Sequence, residues 1–334
     1  MKTAVIGAGS WGTALAIVLA DAGHEVRLWA REAKIVDSVN KERRNPTYLK
    51  SVTLPDQITA YASAKECCRG CELIIMATPS HTMRDVGSYL AADLEPDAVV
   101  VSVAKGIELE GFNTMTKVLE EALDGYIPPE QIGVLSGPTH AEEVAMRKPA
   151  AIVASSIDRN TAEFIQANVM TPMLRVYINP DVIGVEIGGS VKNIMAIATG
   201  IIDGAELGDN AAAGLITRSL AEIKRFGMAL GAREETFNGL AGIGDLVVTC
   251  TSRHSRNRHV GFEIGKGKKL DEIIEKMDMV AEGVKTTRSV KEWAHSLGIE
   301  MPITESVYQV LFEDVRPQQA VYELMTREPK EEAC

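Results

Sequence analysis

The 334-residue chain has few aromatic residues (5%), only five cysteines and no excess of positive charge. Its 46 acidic residues outnumber its 35 lysines and arginines, which gives a net charge of −11. A surface that follows a nucleic-acid backbone needs a basic face, so we expect no nucleic-acid partner. Five unevenly spaced cysteines also do not form a disulfide framework. These shortages favour an ordinary soluble protein.

The cysteines are residues 67, 68, 71, 250 and 334, and Cys68 and Cys71 form a C-x-x-C pattern. A metal or redox pair is one interpretation. No second cysteine pair lies nearby, however, and the segment is typical of a helix that enters the strand at 73–77. We therefore predict reduced thiols and no metal.

The sequence also lacks a long uninterrupted apolar run. No stretch approaches the roughly 20 apolar residues that span a bilayer. The first predicted strand begins a few residues after Met1, which leaves no room for a targeting segment before it. We expect a cytoplasmic protein that does not insert into membranes.

A glycine pattern near the start is the most informative feature that is present. Residues 4–12 read AVIGAGSWG, so an apolar run leads into Gly7, Gly9 and Gly12 with G-x-G-x-x-G spacing. Such glycines allow a tight turn, the approach of a pyrophosphate and close packing of the following helix. Residues 13–21 predict that helix and residues 25–30 a second strand. The pattern therefore predicts a dinucleotide-binding βαβ unit, although a glycine turn that serves packing alone has the same spacing.

Arg31 lies where the second strand ends. An acidic residue there would accept hydrogen bonds from the ribose of NAD, whereas an arginine pairs with a 2′-phosphate. The sequence thus favours NADPH, with NADH also possible. The alternative is that Arg31 only ends the strand in solvent.

Strand patterns dominate the first half of the chain and helical patterns the second. Predicted strands occupy residues 3–6, 25–30, 73–77, 98–103, 132–135, 151–154 and 174–177. Their alternation with helices predicts an α/β fold with an open, doubly wound, mostly parallel Rossmann-type sheet. Long apolar-periodic segments at 185–206, 211–230 and 287–297 predict an all-α second part. We therefore predict a dinucleotide-binding domain at 1–183 and a helical substrate-binding domain at 184–334, with a homodimer possible through apolar helices.

Lys192 and Asn193 interrupt an otherwise apolar helix, and Lys105 follows a predicted strand. A lysine in such a helix either extends to water or serves chemistry. If Lys105 and Lys192 share a pocket, repulsion and desolvation lower an ammonium pKa, so that a lysine can donate a proton near neutral pH. Gly188 and Gly189, one turn earlier, thin the helix and permit close approach of another segment, and a cofactor or substrate could fill that space.

A basic cluster stands out at residues 253–259, RHSRNRH, in this acidic chain. It is either a solvated loop or an anion site. An arginine fork with neighbouring serine and asparagine donors suits a phosphate monoester, and we favour a phosphorylated substrate.

Several motifs together identify a family. They are GAGSWG at 7–12, ATPS at 77–80, SVAKGIE at 102–108, SGPTHAEEV at 136–144, VKN at 191–193, GIGDL at 242–246 and SRNR at 255–258. In this order the motifs closely resemble those of bacterial NAD(P)-dependent glycerol-3-phosphate dehydrogenases, and they cover nearly the whole chain.

The resemblance implies roles for individual residues. It implies that Lys192 is catalytic. The substrate positions that it implies are Lys105, Gly137, Thr139, Lys192, Asn193, Asp245, Ser255, Arg256 and Asn257. The cofactor positions, including the glycine turn, are Gly7, Gly9, Ser10, Trp11, Gly12, Arg31, Lys105, Ala141, Arg256, Val280 and Glu282.

The implied reaction is the reversible reduction of dihydroxyacetone phosphate to sn-glycerol 3-phosphate, which supplies phospholipid synthesis. Lys192 would protonate the developing alkoxide, Lys105 and Asn193 would polarise the same oxygen, and Arg256 would anchor the phosphate. A hydroxyacid or sugar-acid dehydrogenase with the same domain plan and a non-catalytic NADPH sensor remain as alternatives.

Overall fold

The computed structural model describes residues 1–277, 280–329 and 331–332. Its centre is one eight-stranded sheet in the order β3-β2-β1-β4-β5-β6-β7-β8. The strands are β1 (Lys2–Ile6), β2 (Glu25–Trp29), β3 (Ile58–Tyr61), β4 (Leu73–Met76), β5 (Val99–Ser102), β6 (Ile132–Ser136), β7 (Ala150–Ser156) and β8 (Leu174–Ile178). All neighbouring strands are parallel except β6 and β7, which are antiparallel. The predicted open, mostly parallel sheet is therefore confirmed.

All seven strands predicted from sequence are present, with their ends shifted by one or two residues. The sequence analysis missed β3, whose four residues alternate between buried and partly exposed positions. This strand pairs only with β2 and forms an edge of the sheet. A short edge strand lacks the continuous apolar run of a strand covered on both faces, so its pattern is weak.

Helices cover both faces of the sheet and make up the second half of the chain. They are α1 (Ser10–Asp21), α2 (Ala33–Glu42), α3 (Ala64–Cys68), α4 (Met83–Leu90), α5 (Met115–Ala122), α6 (Ala141–Ala145), α7 (Arg159–Val169), α8 (Val182–Gly204), α9 (Asp209–Ala229), α10 (Glu234–Phe237), α11 (Asp245–Thr251), α12 (Arg256–Gly265), α13 (Leu270–Ile274), α14 (Glu282–Ser296), α15 (Pro302–Phe312) and α16 (Pro317–Met325). In β1, Val5 belongs to the core on one face while Ala4 and Ile6 belong to the core on the other. Because successive side chains point to opposite faces, this alternation shows that both faces are buried.

The long helix α8 is the centre of the helical part. It is long and apolar enough by length and composition to cross a membrane, but its apolar window is wholly buried inside the protein. A Cβ on Gly200 would lie 2.1 Å from the Arg258 carbonyl oxygen, and one on Gly204 would lie 2.1 Å from that of Phe262. Helix α12 therefore packs directly on the α8 backbone, which fixes the start of α12 relative to the middle of α8.

Cys67, Cys68, Cys71 and Cys250 are free, buried thiols. Burial raises the pKa of Cys68 to about 12 and that of Cys71 to about 11. Reactive C-x-x-C pairs have lowered pKa values, whereas the pKa values of these buried thiols are raised, which favours a packing role. Cys334 lies outside the described residues.

Candidate active site

The glycine turn, which we define as residues 7–12, joins β1 to α1. Gly7 has φ +123°, a conformation that favours glycine, and a Cβ on Gly12 would lie 1.9 Å from the Gly7 carbonyl oxygen. A Cβ on Gly9, in contrast, would meet no atom within 4 Å. Gly7 and Gly12 therefore serve the turn and its packing, whereas Gly9 leaves open space in front of the helix.

The start of α1 has the features of an anion site. Gly9 occupies the N-cap position and provides no side-chain hydrogen bond to the first amides of the helix. Those amides carry the positive end of the helix dipole. The indole Nε1 of Trp11 is buried and has no hydrogen-bond partner among the described residues, although buried donors are normally paired. Both features fit a dinucleotide pyrophosphate at this turn.

Arg31 lies two residues beyond β2, and its side chain is 83% exposed. Its Nη2 is 3.5 Å from Oε1 of Glu32. Arg31 lies at the same end of the strands as the glycine turn, because both follow the carboxyl ends of adjacent parallel strands. The structure leaves the guanidinium available to a ligand in solvent.

A second group of residues lies between the sheet and the helical part. We call it the lysine cluster: Lys105, Lys192, Asp245 and Thr249. Lys105 Nζ donates to Asp245 Oδ2 at 2.7 Å, and Lys192 Nζ donates to Asp245 Oδ1 at 2.5 Å. Lys192 Nζ also donates to Thr249 Oγ1 at 2.6 Å. Lys105 and Lys192, 87 residues apart in the chain, thus share one buried carboxylate.

The environment of Lys192 changes its acidity. Burial is the largest cause, and together with the charge of Lys105 it outweighs the opposing effect of Asp245, so that the pKa of Lys192 falls to about 7. An ammonium is normally protonated far above neutral pH because its pKa is about 10.4. Lys192 can therefore both donate and accept a proton near neutrality, which is the property expected of a general acid and base.

Lys105 connects the lysine cluster to the turn after β6. Its Nζ donates to the Gly137 carbonyl oxygen at 2.9 Å, and Thr139 Oγ1 donates to the same oxygen at 3.1 Å. The loop that carries Lys105 contacts α8 as well, because Asn193 Nδ2 donates to the Lys105 carbonyl oxygen at 3.0 Å. Six of the nine candidate substrate residues therefore belong to one network of hydrogen bonds: Lys105, Gly137, Thr139, Lys192, Asn193 and Asp245.

The start of α12 extends this network. Asn257 Nδ2 donates to Asn193 Oδ1 at 2.9 Å, and the Gly283 amide donates to Asn257 Oδ1 at 2.9 Å. Ser255 is the N-cap residue of α12 and accepts a hydrogen bond from the Arg258 amide. Arg256 is exposed, and its Nη1 donates to the Val280 carbonyl oxygen at 3.0 Å. A guanidinium at a helix N-terminus is a suitable anchor for a phosphate.

Glu282 connects the helical part to the sheet. Its carboxylate accepts hydrogen bonds from the Ser80 amide at 3.1 Å and from Ser80 Oγ at 2.6 Å. Ser80 follows β4, whose end contacts Gly7: a Cβ on Gly7 would lie 2.6 Å from the Ala77 carbonyl oxygen. Glu282 therefore lies at the junction between the glycine turn and the lysine cluster.

Ala141 lies two residues after Thr139, in a helix that packs against α1. It is the first residue of α6 and is buried in the apolar core that includes residues of α1. The space beside Gly188 and Gly189 is filled by protein, since their Cβ atoms would lie 2.4 Å from the Ala241 carbonyl oxygen and 2.4 Å from Ser136 Oγ, respectively. The suggestion that a ligand fills this space is therefore wrong.

The sequence analysis missed two residues of the site. Thr249 lies four residues after Asp245, on the same face of α11, and this spacing is the signal that identifies it. His140 precedes α6, and its Nε2 lies 3.4 Å from the Val248 carbonyl oxygen. Burial lowers the pKa of His140, and the charges of Lys192 and Lys105 lower it further.

Comparison with known proteins gives one consistent result. Residues 2–162 match the family model described as NAD-dependent glycerol-3-phosphate dehydrogenase N-terminus, and residues 181–322 match the corresponding C-terminus model. The chain is 52% identical over 334 residues to glycerol-3-phosphate dehydrogenase [NAD(P)+] 2 of Salinibacter ruber, covering 99% of this chain and 97% of that protein. It is 48% identical to the Chlorobium phaeobacteroides glycerol-3-phosphate dehydrogenase [NAD(P)+], with 99% of both chains covered. The crystal structure of the Coxiella burnetii glycerol-3-phosphate dehydrogenase superposes with a TM-score of 0.93 at 40% identity, covering 98% of this chain and 99% of the other.

Proposed function

The chain belongs to the NAD-dependent glycerol-3-phosphate dehydrogenase family, and from this premise we propose how its residues interconvert dihydroxyacetone phosphate and sn-glycerol 3-phosphate. The cofactor is NAD(P), and the product is a precursor of glycerophospholipids. The observation that carries the proposal is the lysine cluster, in which two lysines share Asp245 and Lys192 has a pKa of about 7.

The cofactor is held by residues on both sides of the junction between the sheet and the helices. The first amides of α1, those of Ser10, Trp11 and Gly12, bind the pyrophosphate in the open space at Gly9, while Gly7 shapes the turn that precedes them. The further cofactor residues are Arg31, Lys105, Ala141, Arg256, Val280 and Glu282. When bound, the reduced nicotinamide supplies the hydride that is added to C2 of the ketone.

Lys192 supplies the proton. As the C2 carbonyl of the substrate gains the hydride, its oxygen gains negative charge, and Lys192 Nζ transfers a proton to that oxygen to give the alcohol. In the reverse direction, neutral Lys192 removes the hydroxyl proton. Asp245 holds both ammonium groups in place, and Lys105 and Asn193 stabilise the charge on the oxygen.

The start of α12 binds the phosphate. Arg256 provides a guanidinium and Asn257 a side-chain amide for the phosphate oxygens. The backbone amides at the start of α12, which Ser255 caps, provide further donors. Gly137 and Thr139 contact the same substrate from the turn after β6. Anchoring the phosphate away from the reacting carbon orients the carbonyl toward Lys192.

The domain division, location and assembly are part of the same proposal. We assign residues 1–183 to cofactor binding and residues 184–334 to substrate binding, in a cytoplasmic protein without a nucleic-acid partner.

We further propose a homodimer. No residue of α9 before Ser219 is fully buried, and Leu215 and Ile216, which pack against the core of the helical part, remain partly exposed to a second copy. Size-exclusion chromatography with light scattering tests this; a monomeric mass would contradict it.

The function is tested by following NADPH absorbance with dihydroxyacetone phosphate, beside NADH and beside unphosphorylated dihydroxyacetone. We expect rapid oxidation that requires the phosphate. If NADPH binds but is not oxidised with the phosphorylated ketone, the proposed reaction is wrong. If both ketones react equally well, the assignment of the α12 start to phosphate binding is wrong.

A further inference from the structure

Two side chains of opposite charge lie next to each other just beyond β2. Arg31 Nη2 is 3.5 Å from Glu32 Oε1, and the hydroxyl of Tyr48 donates to the same oxygen at 3.0 Å. Glu32 occupies the N-cap position of α2, but its carboxylate accepts no hydrogen bond from the amides of that helix. The Glu32 carboxylate is therefore directed to Tyr48 and Arg31 and not to its own helix.

Tyr48 shows where this carboxylate lies relative to the glycine turn. Ser10 Oγ, in the first turn of α1, donates to the Tyr48 carbonyl oxygen at 2.6 Å. Asn45 Nδ2 donates to the Ala8 carbonyl oxygen at 2.8 Å, which fixes the same segment to the turn. One residue, Tyr48, thus reaches from the proposed pyrophosphate site to the end of β2. This is the path that the adenosine half of a dinucleotide follows.

The two charges act in opposite ways on the ribose 2′ position. A carboxylate accepts a hydrogen bond from a 2′-hydroxyl and repels a 2′-phosphate, whereas a guanidinium attracts the phosphate. Arg31 is the outer and exposed member of the pair, while the Glu32 side chain is only 29% exposed. The pair presents both kinds of recognition at one place.

We propose that Glu32 is a second determinant of cofactor choice, which counteracts Arg31 and allows the chain to accept NADH beside NADPH. The proposal rests on the proposed cofactor site. Glu32 accepts the 2′-hydroxyl of NADH, and its charge opposes the 2′-phosphate of NADPH that Arg31 binds. Tyr48 orients the carboxylate through its hydroxyl.

The test is direct binding measured by calorimetry, with NADH, NADPH and the fragments 5′-AMP and 2′,5′-ADP. Glu32→Gln removes the charge and keeps the shape. We expect the ratio of the Kd for NADH to the Kd for NADPH to rise about 5- to 10-fold, with the same shift between the two fragments. Arg31→Gln is expected to move both ratios in the opposite direction.

Two control variants separate this role from a general effect. Glu72→Gln removes the same charge from an exposed residue just before β4, at the amino ends of the parallel strands and therefore away from Arg31 and Glu32 at the carboxyl ends, and is expected to leave both ratios unchanged. Tyr48→Phe retains the Glu32 charge but removes its hydrogen bond, and is expected to weaken NADH more than NADPH.

An unchanged ratio in Glu32→Gln, or an equal shift in Glu72→Gln, would overturn the proposal. Failure of the wild-type protein to bind any of the four ligands would overturn both this proposal and the proposed cofactor site. If the ratio shifts as expected but no phosphorylated ketone is reduced, only the proposed reaction fails.

Discussion

The glycine turn and the lysine cluster use opposite means to prepare a site. In the glycine turn, six consecutive residues between β1 and the first turn of α1 create the geometry, and the important property is the absence of side chains at Gly7, Gly9 and Gly12. In the lysine cluster, three charged side chains from distant segments meet, and burial lowers the pKa of Lys192. The comparison teaches that a backbone site is sensitive to added volume, whereas a charged site is sensitive to the identity of each group.

The largest expected effect concerns the lysine cluster. Lys192→Ala removes the proposed proton donor, so we expect kcat to fall by about 10²- to 10⁴-fold. The Kd for NADPH is expected to stay within a few-fold of wild type, because the glycine turn is untouched. Steady-state kinetics and calorimetry measure the two quantities. Near-normal turnover would show that Lys192 is not the acid.

The glycine turn is expected to respond through stability. In Gly12→Ala, the new Cβ would lie 1.9 Å from a backbone oxygen, so the free energy of unfolding should fall by about 2–3 kcal/mol. Gly9→Ala is the matched variant, since its Cβ meets no atom within 4 Å. We expect it to unfold like wild type but to bind NADPH more weakly. Denaturant titration measures the free energy of unfolding of both variants, and calorimetry measures their Kd for NADPH. Equal destabilisation of the two variants would remove the distinction between the two glycines.

Arg256→Ala tests the boundary between the two regions. Because the guanidinium is proposed to bind the phosphate, we expect KM for dihydroxyacetone phosphate to rise about 10- to 100-fold, with a smaller change in kcat. Arg253→Ala, in the same basic segment but outside the proposed site residues, is the control. A similar KM change in both variants would indicate general electrostatic attraction and not a specific anchor.

The smallest effect is a pH dependence that only the lysine cluster should show. Reduction of the ketone requires protonated Lys192, so kcat for reduction should decline by up to about tenfold per pH unit above the Lys192 pKa of about 7. The kcat for oxidation of the alcohol should rise through the same pKa, because oxidation requires neutral Lys192. Because the pKa in the folded state lies below the unfolded value of about 10.4, the unfolded chain binds more protons between these values, and this group makes stability rise with pH there. NADPH binding that follows the same titration would contradict the separation of the two regions.

The glycine turn, the predicted strands and the long helices could be predicted from sequence because their patterns are local. The motif at 7–12 contains its whole geometry within one turn, and α8 contains its own apolar periodicity. The edge strand β3 was missed because four residues, of which only two are buried, carry little pattern. Thr249, His140 and Glu32 were missed because a threonine within a helix, and a histidine or glutamate just before one, have no special meaning until their partners are known.

The sequence by itself thus determined the fold class, the order of its elements, the family and the residue types available for chemistry, because these depend on neighbours along the chain. Only the tertiary structure decided that Lys105 and Lys192 share the Asp245 carboxylate, that the space beside Gly188 is filled by protein, and that Glu32 faces Arg31 and Tyr48. A pKa depends on the charges and the burial around a group in space, and distance along the chain determines neither of them.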